Sequence, residues 1–242
     1  MSKTWIIIPT AAVDIDMLAD CLEGCSRYND ASIAVVCNTN IAPDRLSAAG
    51  LLGVAEARGR IVRAAFVPER IGYVRAVNMA WALCEPEKED YIAVINDDLQ
   101  VTGDFVTPMR AALDTKVGSR PCRPPWQVGA SVKPVGRDGF WGKGDEPFVF
   151  AEGWCWMAKA KTLLDTSLET AVGTIYDPTY AIPGYGCEDC DLSIRIGDTK
   201  NQIVQVDNLP VHHLHTQTVR NRDAGWARNR ARLVERWHLD AV

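Results

Sequence analysis

The segment YIAVINDD, from Tyr91 to Asp98, is the stretch that decides the fold predicted for this chain. Residues 91–95 are apolar and favour β-structure, which predicts a buried strand in a parallel sheet. Asn96, Asp97 and Asp98 follow at once. Because open α/β sheets bind their ligands at the carboxyl ends of the strands, these three side chains are predicted to lie in a ligand-binding crevice.

The adjacent carboxylates of Asp97 and Asp98 indicate a cation site. Two neighbouring carboxylates repel each other, so a site that keeps both ionised usually supplies a cation. Oxygen ligands at a strand end suit Mg²⁺ or Mn²⁺, ions that commonly also hold substrate phosphates. A solvated acidic turn after an ordinary strand is the alternative that this segment leaves open.

Strand and helix patterns alternate through the first half of the chain. Apolar runs at 5–8, 33–37 and 61–67 predict strands, and helical spacing of apolar residues predicts helices at 14–25 and 73–83. Strands separated by helices are typical of βαβ units with a parallel sheet. The three clearest strands end in small polar residues, which are predicted to line one crevice: Pro9-Thr10, Asn38-Thr39-Asn40 and Asn96-Asp97-Asp98.

The second half of the sequence is less regular. Helices are predicted at 105–113, 188–196 and 219–237, and strands at 127–132 and 148–157. A stretch rich in glycine and proline lies between Gly118 and Pro147, and it predicts either a mobile loop over a site or a surface excursion without a role.

Composition limits the classes of protein that the chain can belong to. Its 242 residues are 47% hydrophobic and 24% charged, as in ordinary soluble globular proteins. The net charge of −5 argues against general nucleic-acid binding, which needs a dominant basic surface. No apolar run approaches the ~20 residues of a membrane span, and the run after Met1 is too short for a signal peptide. We therefore expect a cytoplasmic protein whose eight cysteines are reduced structural thiols.

A second acidic cluster, Glu188, Asp189 and Asp191, opens the predicted helix at 188–196. Acidic residues in a first helical turn are favoured by the helix dipole, so simple capping is one interpretation. Arg195 lies four residues after Asp191 and is predicted to form an ion pair with it. The cluster then suits one carboxylate held by an internal partner and another available as a general base.

Three of the four histidines, His212, His213 and His215, lie close together near residue 213. A neutral imidazole from this group could complete the coordination of the metal bound by Asp98. A solvent-exposed histidine cluster without a ligand is the alternative.

The order of these motifs resembles that of family 2 glycosyltransferases, enzymes of the GT-A fold that move a sugar from a nucleotide-sugar to an acceptor. The matching segments run from residue 5 to about 218: IIIPT (6–10), VCNTN (36–40), ERIGYVRAVNMAW (69–81), INDDLQVTGDF (95–105), AEGWCWM (151–157), GYGCEDCDLSIRI (184–196) and VHHLHTQT (211–218). The resemblance implies one Rossmann-like α/β domain with a mixed, mostly parallel central sheet flanked by helices. Residues 1–104 would form the nucleotide-sugar-binding half, 105–218 the acceptor and catalytic half, and 219–242 a C-terminal helix.

The resemblance also implies roles for the acidic residues. Asp98 matches the ligand of Mn²⁺ or Mg²⁺, with Asn96 and Asp97 beside the ribose or the waters of the metal. Asp189 matches the general base that takes the proton of an acceptor hydroxyl, which implies inversion at the anomeric carbon. Glu188 would bind or orient the acceptor.

His213 best matches the metal or diphosphate histidine of the family, because Thr218 follows at the usual distance. His212 and His215 remain alternatives. Asp191 is assigned both to the ion pair with Arg195 and to the acceptor side.

The nucleotide-contacting turns of the family match four residues of this chain, Pro9, Thr10, Gly72 and Asn78. The family often has an acidic residue after the second strand, where this chain has Cys37, so contact with the base is assigned to Asn38 or Asn40. Trp154 and Trp156 are predicted to face the same side of one strand, and Trp154 is the candidate aromatic platform for an acceptor sugar.

The function expected from the sequence is therefore a metal-dependent glycosyltransferase acting on a nucleotide-diphosphate sugar. A retaining glycosyltransferase with the same metal site, and a non-catalytic module that binds nucleotide-sugar or glycan, are the alternatives. The sequence leaves open whether the acceptor is a glycan, a lipid, a protein or a nucleic acid, and it leaves the oligomeric state open as well.

Overall fold

A computed structural model describes residues 2–12, 14–57, 62–115, 125–137, 139, 148–166, 173–181, 186–197, 202–214 and 224–239. Most of the predicted loop between Gly118 and Pro147 lies outside these residues, as do His215, Thr218 and the first residues of the predicted C-terminal helix.

The described residues form eleven strands and seven α-helices. The strands are β1 (Thr4–Thr10), β2 (Ser32–Asn38), β3 (Val62–Val67), β4 (Tyr91–Ile95), β5 (Leu99–Val101), β6 (Gln127–Gly129), β7 (Val132–Pro134), β8 (Val149–Ala151), β9 (Cys155–Lys159), β10 (Ile203–Gln205) and β11 (Val211–His213). The helices are α1 (Ile15–Tyr28), α2 (Ala42–Ala57), α3 (Tyr73–Cys84), α4 (Val106–Asp114), α5 (Ala160–Asp165), α6 (Glu188–Ile196) and α7 (Ala224–Trp237).

The central sheet has seven strands in the order β10-β6-β9-β4-β1-β2-β3. Strands β3, β2, β1 and β4 are parallel to one another, whereas β9 runs antiparallel to both β4 and β6. This arrangement confirms the predicted mixed, mostly parallel α/β sheet. The carboxyl ends of β1, β2 and β4 lie side by side, as the polar strand ends predicted.

The core lies on both faces of the sheet, which explains why the strands are apolar throughout rather than alternating. Ile7 faces a cluster that includes Val77 and Trp81 of α3. Ile6 and Ile8 face the opposite cluster, with residues of α1. Because successive side chains on a strand point to opposite faces, one apolar run serves both clusters.

Helix α2 was not predicted from the sequence, although Ala48 and Leu52 within it are buried. Its segment contains Gly50 and Gly53 and many small residues, so its amphipathic pattern is weak. The helix lies in the crossover that connects the parallel neighbours β2 and β3, a connection that is usually helical.

The predicted strand at 148–157 is divided into β8 and β9 by a turn at Glu152–Trp154, which we call the central turn. The predicted strand at 127–132 likewise ends at Gly129, and β7 then pairs with β8 in a separate ribbon. A second ribbon pairs β5 with β11 in antiparallel register, with His213 opposite Leu99. This ribbon brings a distant part of the chain beside Asp98.

Helix α7 is attached to α6 through the buried carboxylate of Asp191, which is 0% exposed. Arg195 Nε donates to Asp191 Oδ2 at 2.9 Å, which confirms the predicted ion pair. From α7, Trp237 Nε1 donates to Asp191 Oδ1 at 3.0 Å and Arg236 approaches the same oxygen at 3.0 Å. None of the helices in the described part of the chain is long and apolar enough to cross a membrane.

Replacing Asp191 by asparagine should reduce the free energy of unfolding by about 3–5 kcal/mol, because the charge of Arg195 would stay buried without its partner. Urea unfolding followed by circular dichroism would measure the loss. The matched control is Asp165→Asn, whose carboxylate is 53% exposed and pairs with Lys161, and it should cost less than about 1 kcal/mol. Equal losses in the two variants would contradict this account.

Candidate active site

Hydrogen bonds join the carboxyl ends of β1, β2 and β4. Thr10 Oγ1 donates to Asp97 Oδ2 at 2.5 Å, and Asn38 Nδ2 donates to the carbonyl oxygen of Thr10 at 2.8 Å. The backbone N–H of Ala12 donates to Thr10 Oγ1 at 2.8 Å, so the hydroxyl of Thr10 is held on two sides. The three strand ends are therefore connected by hydrogen bonds along one edge of the sheet, and we call this edge the crevice.

Burial raises the pKa of Asp97 to about 6, and the neighbouring charge of Asp98 adds to the increase, whereas the hydrogen bond from Thr10 opposes it. The orientation of Asp97 is set by Thr10. Its carboxylate is therefore oriented by the strand ends before any ligand arrives.

Asp98 and His213 come together beside this crevice. His213 Nε2 lies 3.1 Å from Asp98 Oδ1 and 3.5 Å from Asn96 Nδ2. The N–H of Leu214 donates to the carbonyl oxygen of Asp98 at 3.1 Å, which fixes the end of β11 against this turn. A carboxylate oxygen and an imidazole nitrogen thus converge on one point, a donor set that fits a divalent cation.

His213, rather than His212, faces the candidate metal position. His212 pairs with Gln100 across the ribbon and is exposed, because neighbouring residues of β11 point in opposite directions. His215 lies outside the described residues.

Across the described ranges, no three His, Cys, Asp or Glu side chains are grouped so that they could hold a metal ion by themselves. Asp98 and His213 would therefore supply part of a coordination shell. Mg²⁺ and similar ions are commonly bound by one or two carboxylates together with substrate phosphates and water. The donor set therefore fits an ion that arrives with a phosphorylated ligand.

Asp189 lies in the first turn of α6 and is partly exposed. Its Oδ2 accepts a hydrogen bond from the N–H of Gly153 at 3.2 Å, and its Oδ1 accepts one from the N–H of Cys190 at 2.8 Å. Loss of hydration raises the pKa of Asp189 to about 6, these two hydrogen bonds oppose the increase, and the charge of Glu152 adds to it. A carboxylate with such a pKa can accept a proton near neutral pH.

Glu188, the neighbour of Asp189, is buried with 4% exposure, and its Oε2 has no hydrogen-bond partner among the described residues. Burial raises the pKa of Glu188 to about 8, and the charge of Asp189 contributes. Two neighbouring carboxyl groups with raised pKa values therefore lie at the start of α6, with different exposure to solvent.

The central turn connects the two acidic sites. The carbonyl oxygen of Trp154 accepts from the N–H of Asn96 at 3.0 Å, and the Trp154 indole stacks on the His213 ring with centroids 5.0 Å apart and planes inclined by 8°. Trp154 Nε1 donates to Glu152 Oε2 at 3.3 Å. Gly153, between these two residues, binds Asp189 through its N–H and accepts from the hydroxyl of Tyr73 at 2.7 Å through its carbonyl.

The prediction that Trp154 and Trp156 face the same side of one strand is wrong. Trp154 lies in the central turn, before β9 begins at Cys155, so the alternation of strand side chains does not include it. Trp156 is fully buried, and its Nε1 donates to the hydroxyl of Tyr176 at 3.0 Å.

Asn78 and Asp191 are occupied within the protein. Asn78 Oδ1 accepts from the N–H groups of Ile175 and Tyr176 at 3.0 and 2.9 Å, and its Nδ2 donates to the carbonyl of Tyr176 at 2.9 Å. The structure therefore does not support the nucleotide contact predicted for Asn78. The acceptor contact assigned to Asp191 stays a prediction, and the carboxylate of this residue has no exposed surface.

The remaining residues predicted to contact the nucleotide lie at or beyond the carboxyl ends of β1, β2 and β3. Pro9 is buried near the end of β1, and Asn40 is exposed just beyond β2. Gly72 precedes α3 with φ of 80°, a left-handed conformation that side chains other than glycine rarely adopt.

Glu152 and Tyr73 were missed by the sequence reasoning. Glu152 lies within an apolar segment that reads as one continuous strand, and its position in a turn depends on where β8 ends. The pair Glu152-Gly153, polar and flexible within an apolar run, is the one local signal that could have indicated the break.

The stability of the Glu188→Gln variant relative to the wild type should increase as pH rises from about 5 to about 8. Between these pH values the folded wild type holds a proton on Glu188, whereas the unfolded chain releases it above its usual pKa of 4.5. Raising the pH therefore lowers the free energy of unfolding of the wild type, and the glutamine variant lacks this effect. Melting temperatures at pH 5.5 and 8.5 would measure this difference. Glu89→Gln, at an exposed position, is the control, and a pH-independent difference for Glu188→Gln would contradict its burial as a neutral group.

No protein-family model matches this sequence, and no curated protein matches it significantly. Solved structures do match its fold. A mannosyltransferase, PcManGT from Pyrobaculum calidifontis in complex with GDP-Man and Mn²⁺, has a TM-score of 0.61 at 10% identity and covers 89% of this chain and 58% of its own. GalNAc-T7 with UDP, GalNAc and Mn²⁺ has a TM-score of 0.66 at 13% identity. The match covers 97% of this chain and 48% of the GalNAc-T7 chain.

Glucosyl-3-phosphoglycerate synthase from Mycobacterium tuberculosis, with Mn²⁺, UDP and glucosyl-3-phosphoglycerate, matches at a TM-score of 0.55 and 16% identity, covering 100% of this chain and 81% of its own. The chain spans about half the length of the first two of these proteins. At such identities the likeness concerns the fold, and the chain has the GT-A fold of these glycosyltransferases, as its motifs predicted.

Proposed function

We propose that this protein is a metal-dependent glycosyltransferase that moves a sugar from a nucleotide-diphosphate sugar to an acceptor hydroxyl. One observation carries the proposal: the central turn contacts both the Asp98–His213 pair and Asp189, through the Trp154 stack on one side and the Gly153 N–H on the other. The structurally similar mannosyltransferase and GalNAc-T7 contain Mn²⁺ together with a nucleotide or nucleotide-sugar, which supports this function.

The donor would lie along the carboxyl ends of β1, β2 and β4. Hydrogen bonds already join Thr10 to Asp97 and to Asn38. These three residues would contact the base and ribose. The residues around the nucleotide would be Pro9, Asn40 and Gly72. Asp98 and His213 would hold Mn²⁺ or Mg²⁺ with the diphosphate. When bound, such an ion neutralises negative charge on the departing diphosphate.

The acceptor would approach Asp189. Its carboxylate, partly exposed and oriented by two backbone N–H groups, would take the proton of the acceptor hydroxyl while that oxygen bonds to the anomeric carbon. The bond from that carbon to the diphosphate oxygen breaks in the same step, so attack from the opposite face inverts the configuration. Glu188 is 4% exposed, too deeply buried to make broad contact with an acceptor.

The experiment that tests the function is a screen of the purified protein with UDP-, GDP-, CMP- and dTDP-sugars, each with and without Mn²⁺. We expect a rise in melting temperature that requires both Mn²⁺ and one nucleotide-sugar, accompanied by slow release of nucleoside diphosphate. Binding without any turnover would instead indicate a non-catalytic module. Absence of metal-dependent stabilisation with every donor would overturn the proposal.

Asp98→Asn should weaken Mn²⁺-dependent binding of that donor by more than about 100-fold, because even residues that only support a metal ligand contribute about 10–100-fold. Isothermal titration calorimetry with and without Mn²⁺ would measure it. Asp30→Asn makes the same change at an exposed position and should bind like the wild type. The metal assignment fails if Asp98→Asn keeps the wild-type dependence on Mn²⁺.

Asp189→Asn should leave donor affinity within about twofold and slow donor hydrolysis, in which water replaces the acceptor, by about 10²–10⁴-fold. In the wild type, hydrolysis should decline as pH falls through about 6, because the base form of Asp189 exists above its pKa. Steady-state rates between pH 5 and 8 would show both effects. An unchanged rate in Asp189→Asn would refute its role as the base.

The anomeric configuration of the released sugar, read by NMR early in the reaction, distinguishes the two classes of transfer. Inversion is expected from the proposed attack, whereas retention would assign the same metal site to a retaining enzyme.

A further inference from the structure

The central turn is held rigidly at both of its ends. The N–H of Glu152 donates to the carbonyl oxygen of Ser131 at 3.0 Å, and the carbonyl of Trp154 accepts from the N–H of Asn96 at 3.0 Å. Glu152 is partly exposed, and its carboxylate accepts a hydrogen bond from the Trp154 indole. Nothing in the motif pattern of the sequence assigned a role to this residue.

On the metal side, Glu152 acts through Trp154. Glu152 Oε2 accepts from Trp154 Nε1 at 3.3 Å, which restricts rotation of the indole. The indole lies nearly parallel to the His213 ring, at 5.0 Å between centroids and 8° between planes. The orientation of that ring decides where Nε2 points, and Nε2 is the atom that lies 3.1 Å from Asp98 Oδ1. The contact of Glu152 therefore reaches the candidate metal position through one intervening side chain.

On the base side, Glu152 acts through its charge. Gly153, the next residue, binds Asp189 directly, and the negative charge of Glu152 contributes to the raised pKa of Asp189. Among the described residues, the other titratable groups near Asp189 include its helix neighbours Glu188 and Cys190, and two tyrosines, Tyr73 from α3 and Tyr176. Among the described carboxylates outside α6, Glu152 is the one that raises the pKa of Asp189 most.

We infer that Glu152 is a positioning residue that serves both halves of the site, holding the Trp154 indole against His213 and keeping Asp189 in a negatively charged environment. The inference deepens the proposed transferase function and rests on it. It assigns to one side chain a mechanical effect on metal binding and an electrostatic effect on the base. These two effects can be separated by substitution.

Glu152→Gln and Glu152→Ala separate the two effects. The amide oxygen of glutamine can still accept from Trp154 Nε1, but the negative charge is gone, whereas alanine removes both. In both variants we expect Asp189 to titrate at lower pH, by about half a unit, the size that one partly hydrated charge produces. Only Glu152→Ala should weaken Mn²⁺ binding in the presence of nucleoside diphosphate, by about 10-fold.

The titration of Asp189 would be followed by ¹³C NMR of its carboxyl carbon, which needs neither donor nor activity. Mn²⁺ affinity would be measured by electron paramagnetic resonance with each of UDP and GDP present. Glu89→Gln, at an exposed position, is the control for a change of charge alone. A merely structural role would lower the melting temperature of both variants while leaving the Asp189 titration and the Mn²⁺ affinity as in the wild type, and that result would overturn the inference.

The same measurements separate this inference from the proposed function. If the wild type shows no metal-dependent binding of any nucleotide, the proposed function fails, whereas the shift of the Asp189 titration still tests the electrostatic effect. If the wild type binds Mn²⁺ with nucleotide but Glu152→Ala binds it equally well, the effect through Trp154 is refuted and the proposed function stands.

Discussion

Strand β9 runs antiparallel to β4, with Cys155 opposite Ile95 at the carboxyl end of β4. Because of this direction, the residues that precede β9 lie over the residues that follow β4. The central turn therefore lies against Asn96, Asp97 and Asp98, and the hydrogen bond between Asn96 and Trp154 closes the contact. A parallel β9 would have brought its opposite end, at Lys159, to this position. The distance between the candidate metal ligands and the candidate base depends on this one pairing.

Helix α6 shows how one acidic cluster is divided among different environments. Successive residues of a helix are turned by about 100° from one another, so Asp189 points away from Glu188 and Asp191, which are three residues apart and share the buried face of α6. Asp191 points inward to Arg195 and Arg236, where a buried charge is matched by two guanidinium groups. Asp189 points to the central turn, and Glu188 is buried, with no hydrogen-bond partner for its Oε2 among the described residues. One carboxylate stabilises the packing of α7, and another is available for proton transfer.

The candidate metal position is assembled from two distant parts of the chain by the β5–β11 ribbon. The ribbon is short, and its register places His213 beside Asp98 while His212 is exposed. Trp154 then limits the orientation of the His213 ring from the other side. Since Asp98 and His213 provide two protein donors, a bound ion would depend on the ligand for much of its coordination. Binding of metal and nucleotide should therefore be coupled.

Much of the fold was predictable because its signals are local. The apolar runs of β1, β2 and β4, the polar residues at their ends and the helical spacing of α1, α3 and α6 can each be read within a few residues. The weakly amphipathic α2 was missed because its own pattern is weak, and the signal for it is the parallel connection between β2 and β3, which is usually helical. The division of residues 148–157 into two strands was also missed, because each half is apolar enough to continue the other.

The sequence by itself determined the parallel α/β sheet, the crevice at its strand ends, and the carboxylates Asp98 and Asp189 as candidates for chemistry. Tertiary structure alone decided which groups these carboxylates contact. Asn78 was predicted to contact nucleotide but is bound to the backbone at Tyr176, and Trp154 was predicted to lie on a strand but stacks on His213. The physical reason is that polar side chains take whichever partner the packing of distant segments brings within hydrogen-bonding distance. These contacts depend on the direction of β9 and on the register of the β5–β11 ribbon. Both are set by long-range strand pairing that local sequence does not encode.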